Sequence, residues 1–308
     1  MKCLVTGGAG FLGSHIVDRL CQKGYEVAVI DNLSSGREED VPKGVLLYKN
    51  SVEDEEVFKI FAKEKPDFVF HCAAHIEARE SVKDVSFDAK ANIMGSLNIL
   101  EACRKIGVKK IIFASSGGEV YGDVKEMPAR EEFLPMPVSP YGVAKYAVEK
   151  YLYSYSRLFG IPFVALRYGN IYGPRQNPHG ESGVVAIFTK RMLAGESITI
   201  HGDGSQTKDY VYIQDAVAAT ILAMEKDIQG VVNIASGKET SVMEIYTSLK
   251  EITGFSGRVE HVDFPVEGFP KHTYLSIEKA KKELGWEPVV LLRDGIEKTV
   301  EWFKHNLE

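Results

Sequence analysis

The chain has 308 residues, 44% of them hydrophobic and 26% charged, with a net charge of −6 spread along it without acidic or basic blocks. That length suits one large α/β domain, alone or with a small appended lobe. The charge pattern argues against a nucleic-acid surface, and no apolar run reaches the roughly 20 residues of a membrane span. Cys3, Cys21, Cys72 and Cys103 are scattered without a Cys-x-x-Cys. They are expected to be buried thiols in a reducing cytoplasm, with no metal and no disulfide. The first strand opens at Lys2, which gives the expectation of no secretory leader.

The first half alternates strand and helix. "KCLVT" predicts a buried strand and Phe11–Lys23 a helix. "EVAVID" and "GVLLYK" are the second and third strands, and Glu53–Lys63 is the next helix. "DFVFHCA" is a fourth strand, followed by a long helix over Ala89–Lys105. "KKIIFASS", a helix over Tyr141–Phe159 and "PFVALRY" complete the pattern. Short apolar strands separated by helices imply an α/β protein, a Rossmann-type doubly wound parallel sheet covered on both faces.

After Tyr168 the texture changes. Gly and Pro crowd "GNIYGPRQNPHGESG", "HGDGSQTKDY" and "DFPVEGFPKH", as in the loops of a smaller α/β substrate-binding lobe. Helices are expected at Val184–Ala194, Gln214–Glu225, Ser241–Thr253 and Leu292–His305, with a strand at "GVVNIA". The expected division is a dinucleotide-binding domain over residues 1–168, to which 209–235 return, and a lobe made mainly from 169–308.

"TGGAGFLGSH" follows the first strand and opens the first helix, with Gly7, Gly10 and Gly13 spaced Gly-x-x-Gly-x-x-Gly. A glycine turn lets backbone approach a pyrophosphate, which then sits on amides at the helix N-terminus. Asp31 ends the second strand; a carboxylate there can accept both ribose hydroxyls and repels a 2′-phosphate, which favours NAD. A strand-end aspartate can also simply cap a turn, and nearby Arg37 keeps NADP as a minor alternative.

Four tyrosines have a lysine four residues on: Tyr121, Tyr141, Tyr146 and Tyr246. Spacing alone therefore decides nothing. Tyr246 lies in the second lobe, and Tyr121, beside Gly122, reads as a loop residue. Tyr141 follows Ser139-Pro140 at the start of its helix, near the carboxyl ends of the strands where open α/β sheets hold ligands. Tyr146 lies deeper along the helix and is expected to pack or to make a subunit contact. A phenol has a pKa of about 10 and is a poor base at neutral pH. Lys145 and an oxidised nicotinamide would stabilise its phenolate; lowering the pKa by ~3 takes ~4 kcal/mol. Ser115 and Ser116, at the end of the fifth strand, offer hydroxyls that could bridge a substrate oxygen and Tyr141, or could satisfy strand-end amides.

These residues, with "VIDNLSSG", "HCAA", "NIMGSLNILEA", "SSGGEVYG", "SPYGVAKYAVE", "LRYGNIYGPRQ", "IHGDGSQTKDYVYIQDA" and "KKELGWEP", span nearly the whole chain. On them the sequence resembles the extended short-chain dehydrogenase/reductases, and within these the UDP-glucose 4-epimerase (UDP-galactose 4-epimerase) group. The resemblance implies that Tyr141 takes the 4-OH proton of a UDP-hexose, with Lys145 and Ser116 completing the catalytic set. C4 loses hydride to tightly held NAD, a 4-keto sugar turns over in the site, and hydride returns to its other face.

By the same resemblance, the cofactor would meet Gly7, Gly10, Phe11, Leu12 and Gly13, then Asp31, Asn32, Ser35, Gly36, Ser51 and Val52. Ala73 and Ala74 would meet the cofactor backbone, Asn92 would sit on the helix behind it and Tyr168 would lie near the nicotinamide, with Ser115, Tyr141 and Lys145 also among the cofactor residues. The substrate would meet Ser116, Gly117, Asn170, Val184, Val185, His201, Lys208 and Thr273. Asn170 and Lys208 would serve the diphosphate, and Val184 and Val185 the uracil. Thr273, being small, would leave room for an N-acetyl group.

The sequence departs from the family pattern in four places. Gly117 stands where the catalytic hydroxyl is usual, so the role passes to Ser116 through an assumed bulge. Gly118-Glu119 replaces the Asp-Glu pair of dehydratases, which argues for epimerisation. Val266 stands where a diphosphate-binding arginine is usual, with Lys271, His201 or Arg175 as candidate substitutes. Ile76 replaces a usual lysine, beside His75, which is expected to pack or to edge the cofactor. The competing readings are a UDP-glucuronate decarboxylase or 4,6-dehydratase of the same fold, and a non-catalytic NAD-binding regulatory protein. A homodimer through the Ala89–Lys105 and Tyr141–Phe159 helices is expected.

Overall fold

Hydrophobic runs of five to seven residues bounded by Gly, Pro or charged groups are too short for helices, and they settle as strands. The computed structural model describes residues 1–122, 124, 126–179, 183–264 and 268–306. In chain order the first part runs β1 (Lys2–Thr6), α1 (Phe11–Gln22), β2 (Glu26–Ile30), β3 (Leu46–Tyr48), α2 (Glu56–Glu64) and β4 (Phe68–His71). Then come α3 (Ala78–Lys83), α4 (Val85–Ala89), α5 (Gly95–Ile106), β5 (Lys110–Ser116), α6 (Gly117–Tyr121), α7 (Pro140–Phe159) and β6 (Phe163–Tyr168). The rest is β7 (Asn170–Tyr172), α8 (Val184–Leu193), β8 (Ile198–His201), β9 (Thr207–Lys208), β10 (Tyr210–Tyr212), α9 (Ile213–Glu225), β11 (Gly230–Ile234), β12 (Thr240–Ser241), α10 (Val242–Thr253), β13 (Val259–Val262) and α11 (Leu292–His305).

Seven strands form one parallel sheet in the order β11-β6-β5-β4-β1-β2-β3. Successive side chains of a strand face opposite sides, and both sides are apolar here. Leu4, Val69, Ile111, Phe113 and Ala165 pack against Phe61 of α2, Leu100 of α5 and Val148 of α7. Val5, Phe70, Ile112, Val164 and Leu166 pack against Ile16 and Leu20 of α1 and Val217 and Ile221 of α9. The strand order reverses between β1 and β4, so a crevice opens at their carboxyl ends, the place where such sheets take ligands. The chain leaves the sheet after Tyr168 and comes back to it with α9 and β11.

Outside the central sheet stand three small pairings: β7 with β10, β8 with β13, and β9 with β12. Ser241 caps α10 reciprocally with Glu244, so that helix starts one residue later than predicted.

Three local expectations need correction. The helix predicted over Ala89–Lys105 starts earlier, at Val85, where the Asp84 carboxylate accepts the Phe87 N–H. It also passes through a π-helical turn, Lys90–Met94, before α5. Such turns often mark functional sites, and this one carries the buried Asn92. Tyr121 ends a short helix, α6, and not a loop. α2 begins at Glu56 because Asp54 first takes the Ser51 N–H in a turn. All four cysteines are free thiols. Among the described residues no helix is long and apolar enough to cross a membrane, and no three-residue group of His, Cys, Asp or Glu could hold a metal.

Candidate active site

The glycine turn is steric before it is chemical. A Cβ on Gly13 would lie 2.0 Å from the Gly7 carbonyl oxygen, so only glycine lets α1 begin where it does. Gly7 itself has φ +69 and packs on Ala73. Gly10 is the N-cap of α1 and makes no side-chain cap bond, and the first turn holds no acidic residue. The leading N–H groups of a helix have no partner within it, so this end favours an anion. The Asp31 carboxylate accepts Ala9 N–H at 2.9 Å and Leu33 N–H at 2.8 Å, one on each oxygen. It therefore does cap its turn, and each oxygen keeps a lone pair for a hydroxyl. Asn32 donates to Ser51 and accepts from Ser34 N–H, which fixes the exposed strip carrying Ser35 and Gly36. This set fits a dinucleotide: a cradle with no side chains, a helix N-terminus for its phosphates and a carboxylate beside it.

Several residues expected at the cofactor also have partners within the protein. The Val52 side chain is buried over Gly95. Asn92 accepts the His75 N–H at 2.8 Å and donates to the His75 carbonyl at 2.9 Å and to Asp88 at 2.9 Å. It braces the loop carrying Ala73 and Ala74. His75 stands 3.3 Å from Asp88 and edge-on to Phe87. Tyr168 is buried, with its hydroxyl 2.6 Å from the Thr220 hydroxyl. Phe11 meets His15 edge to face, on the half-buried first turn that also holds Leu12.

Under the crevice lies a chain of polar groups whose proton directions can be worked out. Ser96 donates to the Asn92 carbonyl at 2.5 Å, so its oxygen accepts from His71 Nε2 at 2.8 Å. Nδ1 then accepts from Thr6 at 2.7 Å, and Thr6 accepts the Ala73 N–H at 3.2 Å. His71 is thus the neutral Nε2–H form. Burial, and less strongly the Lys145 charge, push its pKa down to about 3.

Of the tyrosine–lysine pairs, Lys125 lies outside the described residues. In the other three the ammonium stands over the ring, at 5.7 Å for Tyr141/Lys145, 4.5 Å for Tyr146/Lys150 and 5.9 Å for Tyr246/Lys250. Only Tyr141 and Lys145 are both buried. Ser139 caps α7 by accepting the Gly142 N–H, Pro140 takes the first helical position, and Ser81 of α3 accepts the Tyr141 N–H at 3.2 Å. Ser116, the N-cap of α6, accepts the Glu119 N–H at 3.3 Å and stands near enough to the phenol to favour its ionised form. Lys145 donates to the Ala114 carbonyl at 2.7 Å, and burial lowers its pKa to about 8. Burial first, then the Glu119 and Asp88 charges, push the Tyr141 phenol well above its ordinary range, against the effect of Ser116. The phenol therefore keeps its proton until further positive charge enters the site.

Ser115 differs from Ser116 because neighbours on a strand point oppositely. Its hydroxyl donates to Glu149 at 2.6 Å, inside a buried ion pair with Arg167 at 2.6 Å. Gly117 has no room for a side chain, since its Cβ would fall 2.3 Å from Leu275 Cδ1. Asn170 is exposed beside Gly118. Lys208 donates to the Pro270 carbonyl at 2.9 Å. Burial lowers its pKa, which nearby Glu119 raises and Arg79 lowers.

Other expectations on the substrate side are corrected. Val185 is 0% exposed and packs in the core, so α8 can offer a ligand Val184 and its first-turn N–H groups but not that side chain. Thr273 is 2% exposed and its N–H is tied to the Thr207 carbonyl, while its hydroxyl has no partner among the described residues. Arg175 cannot replace the diphosphate arginine, because Asp18 at 2.7 Å and Asp40 at 3.3 Å hold it. His201 stacks on Phe264, with Lys271 over the same ring at 5.5 Å. Val266 lies outside the described residues.

Sequence reasoning missed Ser81, Arg79, Leu275 and Glu119's bond to Ser139 at 2.7 Å. Only Glu119 carried a signal, as the acidic residue after a double glycine. Asp209 was also missed; it accepts from Ser236, Gly237 and Leu275 and ties the second lobe to the site.

Residues 3–235 match the NAD dependent epimerase/dehydratase family. The chain is 41% identical over 314 residues to a UDP-glucose 4-epimerase of Mycolicibacterium smegmatis, covering 99% of each. Its structure is similar to that of a UDP-glucose 4-epimerase of Thermotoga maritima solved with UDP-glucose, with TM-score 0.97, 50% identity and 100% coverage of both chains. It is also similar to a Thermus thermophilus UDP-glucose 4-epimerase in complex with NAD, with TM-score 0.95, 43% identity and 99% coverage of both. The parallel sheet, the glycine turn and these likenesses together establish that the chain belongs to the NAD dependent epimerase/dehydratase family.

Proposed function

We propose that this protein is an NAD-dependent UDP-glucose 4-epimerase, interconverting UDP-galactose and UDP-glucose. The observation that carries the reading is the buried pair of Tyr141 and Lys145, with the ammonium 5.7 Å from the ring centre, beside the half-buried Ser116. The chemistry the dinucleotide supplies when bound is the acceptance and return of hydride at the sugar's C4. Gly7, Gly10, Gly13 and the start of α1 would hold its phosphates, Asp31 its adenosine ribose and Lys145 its nicotinamide ribose.

Tyr141 is the base. Its proton leaves only when cationic charge offsets burial and the Glu119 and Asp88 carboxylates. Ser116 steers the sugar hydroxyl toward the phenol, and Tyr141 later returns the proton to the same oxygen. Asn170, Lys208 and Arg79 grip the substrate diphosphate, with Arg79 taking the part expected of a cation at Val266. A firm grip on the nucleotide and a loose one on the hexose let the ring present both faces.

Residues 1–168 with 209–235 form the cofactor domain and the remainder the UDP-sugar lobe. The protein works in the cytoplasm as a homodimer. Exposed Phe87 and Met94 beside exposed Val143, Tyr151 and Leu158 of α7 support that pairing.

A lyase of the same fold loses CO₂ or water, and Gly118 removes the acid a dehydratase needs. The test is to purify the protein without added cofactor, assay for bound NAD, and offer UDP-galactose. UDP-glucose of unchanged mass is expected; a product lighter by water, or none at all, sinks the reading, and loss of CO₂ from UDP-glucuronate offered in parallel would assign the decarboxylase instead.

A further inference from the structure

Segment 31–37 holds both backbone groups of one residue of the glycine turn, Ala9. Ala9 N–H donates to Asp31 at 2.9 Å, and the Ala9 carbonyl accepts the Arg37 N–H at 3.0 Å. Gly36 packs so closely that a Cβ there would lie 2.7 Å from the Ala9 carbonyl carbon. A single 3₁₀ turn, Glu38–Asp40, follows. Its last residue is held from across the molecule: Arg175 Nε lies 3.3 Å from Asp40, while its Nη1 lies 2.7 Å from Asp18 on α1. α1 is the helix that the glycine turn opens. Arg175 therefore closes a ring around the turn, joining the strip beyond Asp31 to the helix behind it.

The contact is built. Arg175 has φ +67, a conformation that costs a non-glycine residue ~1–3 kcal/mol and persists where the surroundings fix it. The preceding carbonyl, Pro174, is 2.9 Å from Nε2 of His15 on α1, and Gln214 of α9 meets the same ring at 3.2 Å. Arginine suits the position because its planar fork serves two carboxylates at once, which a lysine ammonium does less well.

We propose that Arg175 is a positioning residue that latches the nicotinamide dinucleotide in place, holding shut the strip over its adenosine ribose. The proposal rests on the cofactor reading above. Arg175 makes no contact with the reacting sugar. It follows β7, the strand of Asn170, so the lobe that would hold the substrate also restrains the cofactor.

The test loads wild type, Arg175→Met, Arg175→Lys and Asp40→Asn with NADH and follows the loss of bound fluorescence after dilution. Dinucleotide content after gel filtration is measured in parallel. Dissociation at least tenfold faster is expected for R175M and D40N, with R175K between them and wild type. D40N leaves Arg175 its Asp18 partner, and so keeps the test alive if R175M does not fold. Wild-type dissociation rates in the folded variants, even with a lower melting temperature, would overturn the latch alone. A wild-type protein that holds no dinucleotide would overturn the cofactor reading and the latch with it.

Discussion

Leu275 fills the space that a side chain on residue 117 would need, its Cδ1 standing 2.3 Å from where that Cβ would be. Gly117 is therefore one half of a packing pair, and the hydroxyl next to it in the chain is that of Ser116. Gly117→Ser should destabilise the protein by about 1–3 kcal/mol through overpacking. Combined with Leu275→Ala the cost should fall below the sum of the two single changes. Urea denaturation of the four proteins measures this, and additive costs would refute the pairing.

Tyr141→Phe should lower epimerisation by about 10³-fold while leaving the fold and the bound dinucleotide intact, and Ser116→Ala should lower it by about 10–100-fold. The electrostatics give a second readout. Burial and two carboxylates keep the phenol protonated, so the difference in phenolate absorbance between wild type and Tyr141→Phe should show no transition near neutral pH without NAD⁺. Adding NAD⁺ should bring one toward neutrality. A neutral-range transition already present in cofactor-free protein contradicts this account of the site.

The parts of the protein legible in its sequence are those governed by local rules. The glycine turn was legible because Gly7 and Gly13 meet within one loop, and Tyr141 because Pro140 and Ser139 mark the start of a helix. The capping part played by Asp31 was legible as the alternative reading, since a strand-end carboxylate beside a turn meets turn amides. What was not legible depends on partners far along the chain. Nothing near Asn92 signals that its amide will brace His75, and nothing near Arg175 signals Asp18 and Asp40. Val185 and Thr273 carry family positions, but burial decides what their side chains can touch.

Glu149 and Arg167 form an ion pair with both side chains almost wholly buried, and Arg167 also stands 4.6 Å over the Tyr121 ring. Glu149 lies two turns beyond Tyr141 on α7, so the pair fastens that helix to β6. Glu149→Gln strands a buried guanidinium and should cost about 3–5 kcal/mol. Replacing both partners together, as Glu149→Leu with Arg167→Met, should cost less than Glu149→Gln alone. Denaturant midpoints test this, and a double variant less stable than the single one would show that the pair itself stabilises the fold.

His71 gives the protein a defined acid sensitivity. Its folded-state pKa is about 3, below the ordinary 6.5 of an unfolded chain. Between those values the unfolded chain binds a proton that the folded protein refuses, so stability falls as pH falls. The slope from this one group approaches about 1.4 kcal/mol per pH unit. Burial explains the refusal, and the Lys145 charge adds to it, while Nδ1 serves as acceptor for the Thr6 hydroxyl. His71→Gln should be less stable at neutral pH, where the chain from Ala73 to Asn92 is broken, yet lose less on acidification. Unfolding free energies of the two proteins at several pH values between 6.5 and 4 measure the difference in slope. Parallel lines would mean that His71 already accepts a proton in the folded protein, against the neutral Nε2–H form derived from its neighbours.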